Sequence, residues 1–396
     1  MAADCRALIA ERIRERGPIT VAEYMELALY DPECGYYARA SVRTGRAGDF
    51  FTSVDVGPLF GELLAVQIAE MWRLLDGHQG PGVASQGPEA EDRGFDLVEA
   101  GAGNGRLARD ILDWLQAHDP ACFAAVRLHL IERSADARRD QPRTLGPHIN
   151  RLESSADALP ARIDGVLYAN ELLDALPTHL VEMSTDGLRE VFVDLDGDRL
   201  VERLRPLSSP SLASYLARAG VALEAGWRAE INLNALAWVK DAARRLSRGF
   251  LLLVDYGQRA VDLYSEGHAA GTLSTFTRHT VAGPDAAPGL TRPWLEDPGK
   301  RDITAHVDLT SLARAAEDEG LATLAVLDQT YFLLGLGLAE RLAESTGDGP
   351  DDVRRRLALK TLMMPGGLGS THKVMLFGRE VESPRLRGFS YGLRLT

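Results

Sequence analysis

The run Leu97-Val98-Glu99-Ala100-Gly101-Ala102-Gly103-Asn104-Gly105-Arg106-Leu107 restricts the fold of this chain more than any other stretch. A short apolar segment ends in an acid, and three glycines follow at spacing two. A helical pattern then begins with Leu107, Ala108, Ile111, Leu112 and Leu115. Strand, tight glycine turn and helix in this order bring bare backbone and a helix N-terminus to the carboxyl edge of a sheet. Open α/β folds bind nucleotide-like ligands there. The E-x-G-x-G-x-G form favours S-adenosyl-L-methionine (SAM), because glycines let the backbone approach a methionine and ribose closely and SAM has no pyrophosphate to be held. A dinucleotide is the competing ligand. Read from Gly101, the third glycine of G-x-G-x-x-G falls on Arg106 and the fingerprint fails. Read from Gly103, the relaxed form Gly103-x-Gly105-x-x-Ala108 passes. A plain structural turn is the third reading.

The rest of the chain narrows these options. Its 396 residues suit one large α/β domain with additions, or two domains, and an apolar content of 45% supports a sizeable core. A net charge of −13 argues against a dedicated nucleic-acid binder, since no broad basic field attracts phosphates. Arg138-Arg139 and Arg354-Arg355-Arg356 read as solvated helix faces. Cys5, Cys34 and Cys122 are odd in number and scattered. They predict no disulfide framework, no metal site and a reducing, cytoplasmic compartment. The first 16 residues alternate charged and apolar like a helix and lack the apolar core of a signal peptide. No segment reaches the ~20 apolar residues that span a bilayer, so no membrane partner is expected.

Helices are predicted over 4–16 and 21–30, divided by Gly17-Pro18-Ile19-Thr20, with Thr20 as N-cap and Glu23 at capping-box spacing. A further apolar helix spans 58–75, and the Gly-, Pro-, Ser- and acid-rich stretch 77–94 reads as a mobile loop. From Phe95 strands and helices alternate, with strands at 95–100, 126–132, 165–169 and 249–255. The alternation predicts an α/β fold with a mainly parallel, doubly wound sheet. Residues 189–195 and 199–203 read as a β-hairpin around Asp196-Gly197-Asp198. Strands at 321–327 and 373–377 are expected to pair antiparallel at the sheet edge. The resulting division is an N-terminal helical extension with a covering loop (1–76), a loop (77–94), a core (95–380) with an insertion at about 185–235, and a tail (381–396).

Candidate site residues cluster at predicted strand ends. Glu132 ends the second strand, where a carboxylate accepts both ribose hydroxyls of an adenosine. It lies 27 residues past Gly105, against ~20 in a standard dinucleotide unit, and a longer first helix explains the gap. Glu99 orders the glycine loop or meets the ligand's ammonium group. Asp157 sits where an adenine amino group is read, or N-caps a helix. The run Gly165-Val166-Leu167-Tyr168-Ala169-Asn170-Glu171-Leu172-Leu173-Asp174 ends a strand in polar residues. If a helical turn begins there, Glu171 and Asp174 share one face and form an acidic pair that can hold a guanidinium. Helix capping by Asn170 or Asp174 satisfies the same pattern. His306, between Asp302 and Asp308, is a candidate base. No nucleophile elbow or phosphate loop appears.

Several runs together resemble the MidA-like methyltransferases, a family that includes a mitochondrial protein-arginine methyltransferase. They are Gly48-Asp49-Phe50-Phe51-Thr52-Ser53 with Phe60-Gly61-Glu62-Leu63, Val98-Glu99-Ala100-Gly101-Ala102-Gly103, and Ala169-Asn170-Glu171-Leu172-Leu173-Asp174-Ala175-Leu176-Pro177. Val254-Asp255-Tyr256-Gly257, Gly271-Thr272-Leu273 and Asp302-Ile303-Thr304-Ala305-His306-Val307-Asp308 complete the set, in the family's order, from about residue 17 to 380. The resemblance implies a class I, Rossmann-like SAM-dependent methyltransferase with added N-terminal and inserted elements. It also implies that the Gly48–Ser53 loop closes over the cofactor, with Thr52 among the cofactor-binding residues. Ser53-Val54-Asp55-Val56-Gly57, Ser274-Thr275-Phe276-Thr277-Arg278-His279 and Pro365-Gly366-Gly367-Leu368-Gly369 depart from the family pattern.

The chain is therefore expected to bind SAM through Thr52, Glu99, Gly101, Gly103, Gly105, Glu132, Asp157 and Asn170. It is expected to act on a nitrogen acceptor, foremost protein arginine, through Glu171, Asp174 and His306. Methyl transfer needs alignment, desolvation and a group to hold a proton, and needs no metal. The rival readings are a small-molecule O- or N-methyltransferase and a non-catalytic assembly factor that keeps the fold. A homodimer is compatible with either.

Overall fold

The computed structural model describes residues 4–38, 53–54, 57–77, 94–277, 280–284, 292–344, 349–363, 371–381 and 384–391. The chain forms two compact units interleaved in sequence. The first comprises residues 1–50, 172–239 and 256–315, the second 51–171, 240–255 and 316–396.

The second unit is built on a sheet whose strand order is Ala322–Asp328, His372–Arg379, Leu246–Gln258, Ile163–Asn170, Phe95–Ala100, Val126–Ile131, Leu152–Ala156. The last five pair in parallel, as the strand–helix alternation predicts. Ala322–Asp328 and His372–Arg379 pair antiparallel at one edge, also as predicted. All six residues of Phe95–Ala100 are buried, which suits a central strand covered on both faces. Helices Leu59–Leu75 and Arg106–His118 press their apolar stripes into one core with that sheet. Their close approach needs a glycine: a Cβ on Gly61 would stand 2.7 Å from Asp110 Cβ.

Leu152–Ala156 is a strand that the sequence pattern did not announce. Its residues alternate between half-buried and exposed, and only Leu152 and Ala156 are apolar, so no hydrophobic period marks it.

The first unit carries a five-stranded sheet, in which Ile19–Thr20, Gly187–Asp196, His179–Ser184 and Arg228–Ile231 lie in that order and Arg199–Arg205 pairs with Gly187–Asp196. The predicted hairpin is present, with Asp196 opposite Arg199 and Gly197 at φ +61° in the turn. Helices Cys5–Arg16 and Val21–Tyr30 form as read, and the Thr20 hydroxyl accepts the Glu23 amide at 3.1 Å. Ile9, Tyr24, Leu29, Val191 and Trp294 centre one apolar cluster here.

One sequence expectation fails in this unit. Cys5 and Cys34 are joined in a disulfide. The Gly17–Thr20 link turns the chain back, which brings the start of the first helix beside the turn after the second. Spacing along the sequence carries no trace of that proximity.

Candidate active site

The glycine loop leaves the carboxyl end of Phe95–Ala100 with Gly101, Gly103 and Gly105 at φ +71°, +51° and +83°. Those conformations cost an L-residue about 1–2 kcal/mol each, which is why glycine occupies all three. The loop is fixed from behind. The amides of Gly101 and Ala102 donate to the Ile131 carbonyl at 2.9 and 3.0 Å. The Gly103 carbonyl accepts from Gln141 Nε2 at 2.9 Å, and its amide donates to Glu132 Oε2 at 2.9 Å. On the other side the backbone is bare, since a Cβ on Gly103 would meet nothing within 4 Å.

Glu132, just past Val126–Ile131, accepts the Ser134 amide at 2.8 Å on its other oxygen. Ser134 in turn caps helix Ala135–Leu145. Asp157 is exposed in a bend directly after Leu152–Ala156, a strand absent from the sequence reading, and the alternative helix cap does not form. Gln141 was missed in the sequence. Fully buried, it bridges Gly103 and the Ser155 hydroxyl from mid-helix, where a glutamine looks like any surface residue.

Glu99 is buried beneath this loop. The Tyr168 hydroxyl donates to it at 3.0 Å, and it accepts the Ala108 amide of helix Arg106–His118. Burial pushes its carboxyl up to about 8, with the Tyr168 and Ala108 bonds opposing the shift, so the group carries its proton at neutral pH.

At the end of the neighbouring strand, Glu171 adopts φ +51°, a left-handed conformation rare outside glycine. Its amide donates to the Val254 carbonyl at 2.8 Å. Its Oε1 accepts the Ser53 amide and Asn170 Nδ2, each at 3.2 Å. Glu171 Oε2 and Asn170 Oδ1 are buried and have no hydrogen-bond partner among the described residues. An orphaned buried oxygen costs about 1–3 kcal/mol, and strain together with orphaned atoms marks a place that a ligand completes. Thr52 lies outside the described residues, and so does the Gly48–Thr52 part of the covering loop.

Residues 171–178 form bends and a turn with no helix, so the predicted sharing of one helical face by Glu171 and Asp174 is not found. Pro177 stands close behind, and the Leu173 and Leu176 carbonyls are drawn off by Asn232 Nδ2 at 3.0 and 3.2 Å. Asp174 belongs to the first unit, where it is 3% exposed and its carbonyl accepts the Ala305 amide at 3.0 Å. The first unit thus sets Asp174 beside the segment that carries His306. The His306 amide donates to the Thr272 hydroxyl at 3.0 Å, and that hydroxyl donates to the buried Glu230 at 3.1 Å. Glu230 was not singled out in the sequence, because it sits in a short strand with no motif around it. Among the described residues, no group of three or more His, Cys, Asp or Glu could hold a metal ion, and no helix is long and apolar enough to cross a membrane.

A doubly wound sheet whose carboxyl edge carries an E-x-G-x-G-x-G loop, open backbone and orphaned acceptors defines a class I SAM-dependent methyltransferase. Residues 63–327 match a family described as S-adenosyl-L-methionine-dependent methyltransferases, and the chain belongs to this family, as its MidA-like runs implied. It is 31% identical over 359 residues to the mouse mitochondrial protein arginine methyltransferase NDUFAF7, covering 84% of this chain and 73% of the mouse protein. The Caenorhabditis elegans homologue is 28% identical over 410 residues, covering 95% and 87%. A Burkholderia thailandensis protein solved with S-adenosyl-homocysteine (SAH) bound superposes with a TM-score of 0.81 at 29% identity, covering 98% of this chain and 95% of that one. SAM is the cofactor. Bound, it supplies an electrophilic methyl group, and the bare Gly103 backbone with the orphaned Asn170 Oδ1 fits such a ligand. The expected cytoplasmic compartment is overturned, because these curated relatives are mitochondrial proteins. Two of the three cysteines on which that expectation rests are joined in a disulfide.

Proposed function

We propose that this methyltransferase acts on an arginine nitrogen of a protein. The observation that carries the reading is Glu171: a strained, buried carboxylate at a strand end with one oxygen fully engaged and the other free to accept. A guanidinium offers paired N–H donors to such a group, and charge-assisted pairing holds it in one orientation. The name of the mouse relative, a protein arginine methyltransferase, supports the same acceptor. In this reading Gly101, Gly103 and Gly105 give SAM its backbone bed, Glu132 takes the ribose hydroxyls, Asp157 reads the adenine and Asn170 meets the amino-acid end. Glu99, protonated, fixes the loop from below. Glu171 holds the acceptor. Bound SAM would supply the methyl group, and the acceptor nitrogen that takes it would release a proton.

The test is transfer of labelled methyl from SAM to arginine-containing peptides, run beside a set of hydroxyl- and amine-bearing metabolites. Arginine peptides should take the label, and Glu171→Gln should lower turnover by roughly 10²-fold or more with SAM affinity nearly intact. Full turnover by Glu171→Gln, or label found on neutral metabolites alone, would overturn the arginine reading and favour a small-molecule acceptor.

A further inference from the structure

The side chains around Glu171 include one that neither the glycine loop nor the strand-end pattern points to. His372 opens the last strand, His372–Arg379, and its side chain is wholly buried. Its Nε2 lies 3.4 Å from Glu171 Oε1, within ion-pair reach though not aligned as a hydrogen bond. Its Nδ1 lies 3.4 Å from the Thr371 hydroxyl. The last strand runs antiparallel to Ala322–Asp328, with Asp328 opposite Lys373. The first residue of one and the residue following the other, His372 and Gln329, therefore meet at the same end of the sheet. Gln329, also fully buried, exchanges contacts with the Ser53 hydroxyl at 3.2–3.3 Å, and the Ser53 amide donates to Glu171 Oε1.

We propose that His372 is a positioning residue for Glu171, which with the Ser53 and Asn170 donors draws Oε1 inward and turns Oε2 toward a guanidinium acceptor. This rests on the acceptor reading given above. A carboxylate with two donors and a buried imidazole nitrogen against one oxygen has little rotational freedom, and its second oxygen becomes the fixed acceptor. Without the imidazole, Oε1 keeps two donors, and the carboxylate can swing to satisfy Oε2 internally. Replacing His372 leaves Gly101, Gly103, Gly105 and Glu132 in place, so cofactor affinity should stay.

Arginine amide serves as the guanidinium probe, titrated by calorimetry into the full chain saturated with SAH. His372→Leu removes the imidazole in a similar volume, and His372→Gln keeps a polar N–H near the Nε2 position. The expected result is a tenfold or larger loss of arginine amide affinity in His372→Leu and recovery of most of it in His372→Gln. SAH affinity should stay within twofold in both. Wild-type arginine amide affinity in His372→Leu, alongside its loss in Glu171→Gln, would overturn the positioning role and leave the acceptor reading standing. Unchanged affinity in Glu171→Gln, or no binding by the wild-type protein, would overturn both. If His372→Leu and His372→Gln lose SAH as well, His372 is a structural residue and the inference fails.

Discussion

Glu132 and Gly103 are tied by a hydrogen bond of 2.9 Å from the glycine amide to the carboxylate, and the other carboxylate oxygen takes the Ser134 amide at 2.8 Å. One side chain thereby spans the loops after two neighbouring parallel strands. It fixes the distance between the glycine turn and the next helix while keeping lone pairs for a ligand. Glu132→Ala removes both links. A hydrogen bond to a charged group contributes about 1.5–3 kcal/mol, so SAH affinity should fall tenfold or more and the melting temperature should drop with it. Calorimetric titration with SAH decides the matter, and an unchanged dissociation constant would reduce Glu132 to a surface carboxylate.

Gly103 separates steric from conformational demands. A Cβ there meets no atom within 4 Å, whereas one on Gly105 would approach Leu130 Cδ1 to 3.1 Å. Both positions have positive φ, so either substitution strains the backbone by about 1–2 kcal/mol. Gly103→Val should therefore leave a folded protein whose SAH affinity falls steeply, because its branched side chain stands where ligand meets backbone. Gly105→Val should lose stability first. Comparing urea midpoints with SAH dissociation constants for the two variants tests this, and normal SAH binding by Gly103→Val would contradict the assignment of this loop to the cofactor.

The contrast between these residues explains what the sequence could reveal. The glycine loop, Glu132 and Asn170-Glu171 all follow strands on a parallel sheet, and a parallel sheet puts every strand end at one edge. Local pattern alone then gathers them. Leu152–Ala156 escaped because two of its five side chains are exposed, none is fully buried, and its hydrophobic signal is absent. Asp174 was placed on a helix that Pro177 and Asn232 prevent. Gln141, Glu230 and His372 work through contacts with residues far away in sequence, and each is an ordinary polar residue in its own segment.

Glu99 should leave a mark on the pH dependence of stability. Its carboxyl ionises near the ordinary value of 4.5 when unfolded and near 8 when buried beneath the loop. Between those values the folded protein holds a proton that the unfolded chain has released. The contribution is whole below about 4.5 and is lost as pH rises through about 8. Glu99→Gln is a neutral mimic that can still accept from Tyr168 and has no proton to lose. Urea denaturation at pH 6 and pH 9 should show the wild-type protein losing more stability on going to pH 9 than the variant does. Equal losses would mean that Glu99 is already ionised in the native state.

The disulfide makes the last prediction. Cys5 and Cys34 close a loop across 29 positions of sequence, and both are buried against the first helical pair. A cross-link over a loop of that length typically stabilises by about 2–4 kcal/mol, chiefly by restricting the unfolded chain. Cys34→Ser, or incubation of the wild-type protein with a thiol reductant, should lower the thermal midpoint, and reductant should have no further effect on the variant. Thiol titration gives a direct reading. Denatured without reductant, the wild-type chain should show a single reactive thiol, that of Cys122, out of its three cysteines. After reduction it should show all three. Three thiols before reduction would mean that the cysteines pack as neighbours without bonding, and the helical pair would then be held by the apolar cluster around Ile9, Tyr24 and Leu29.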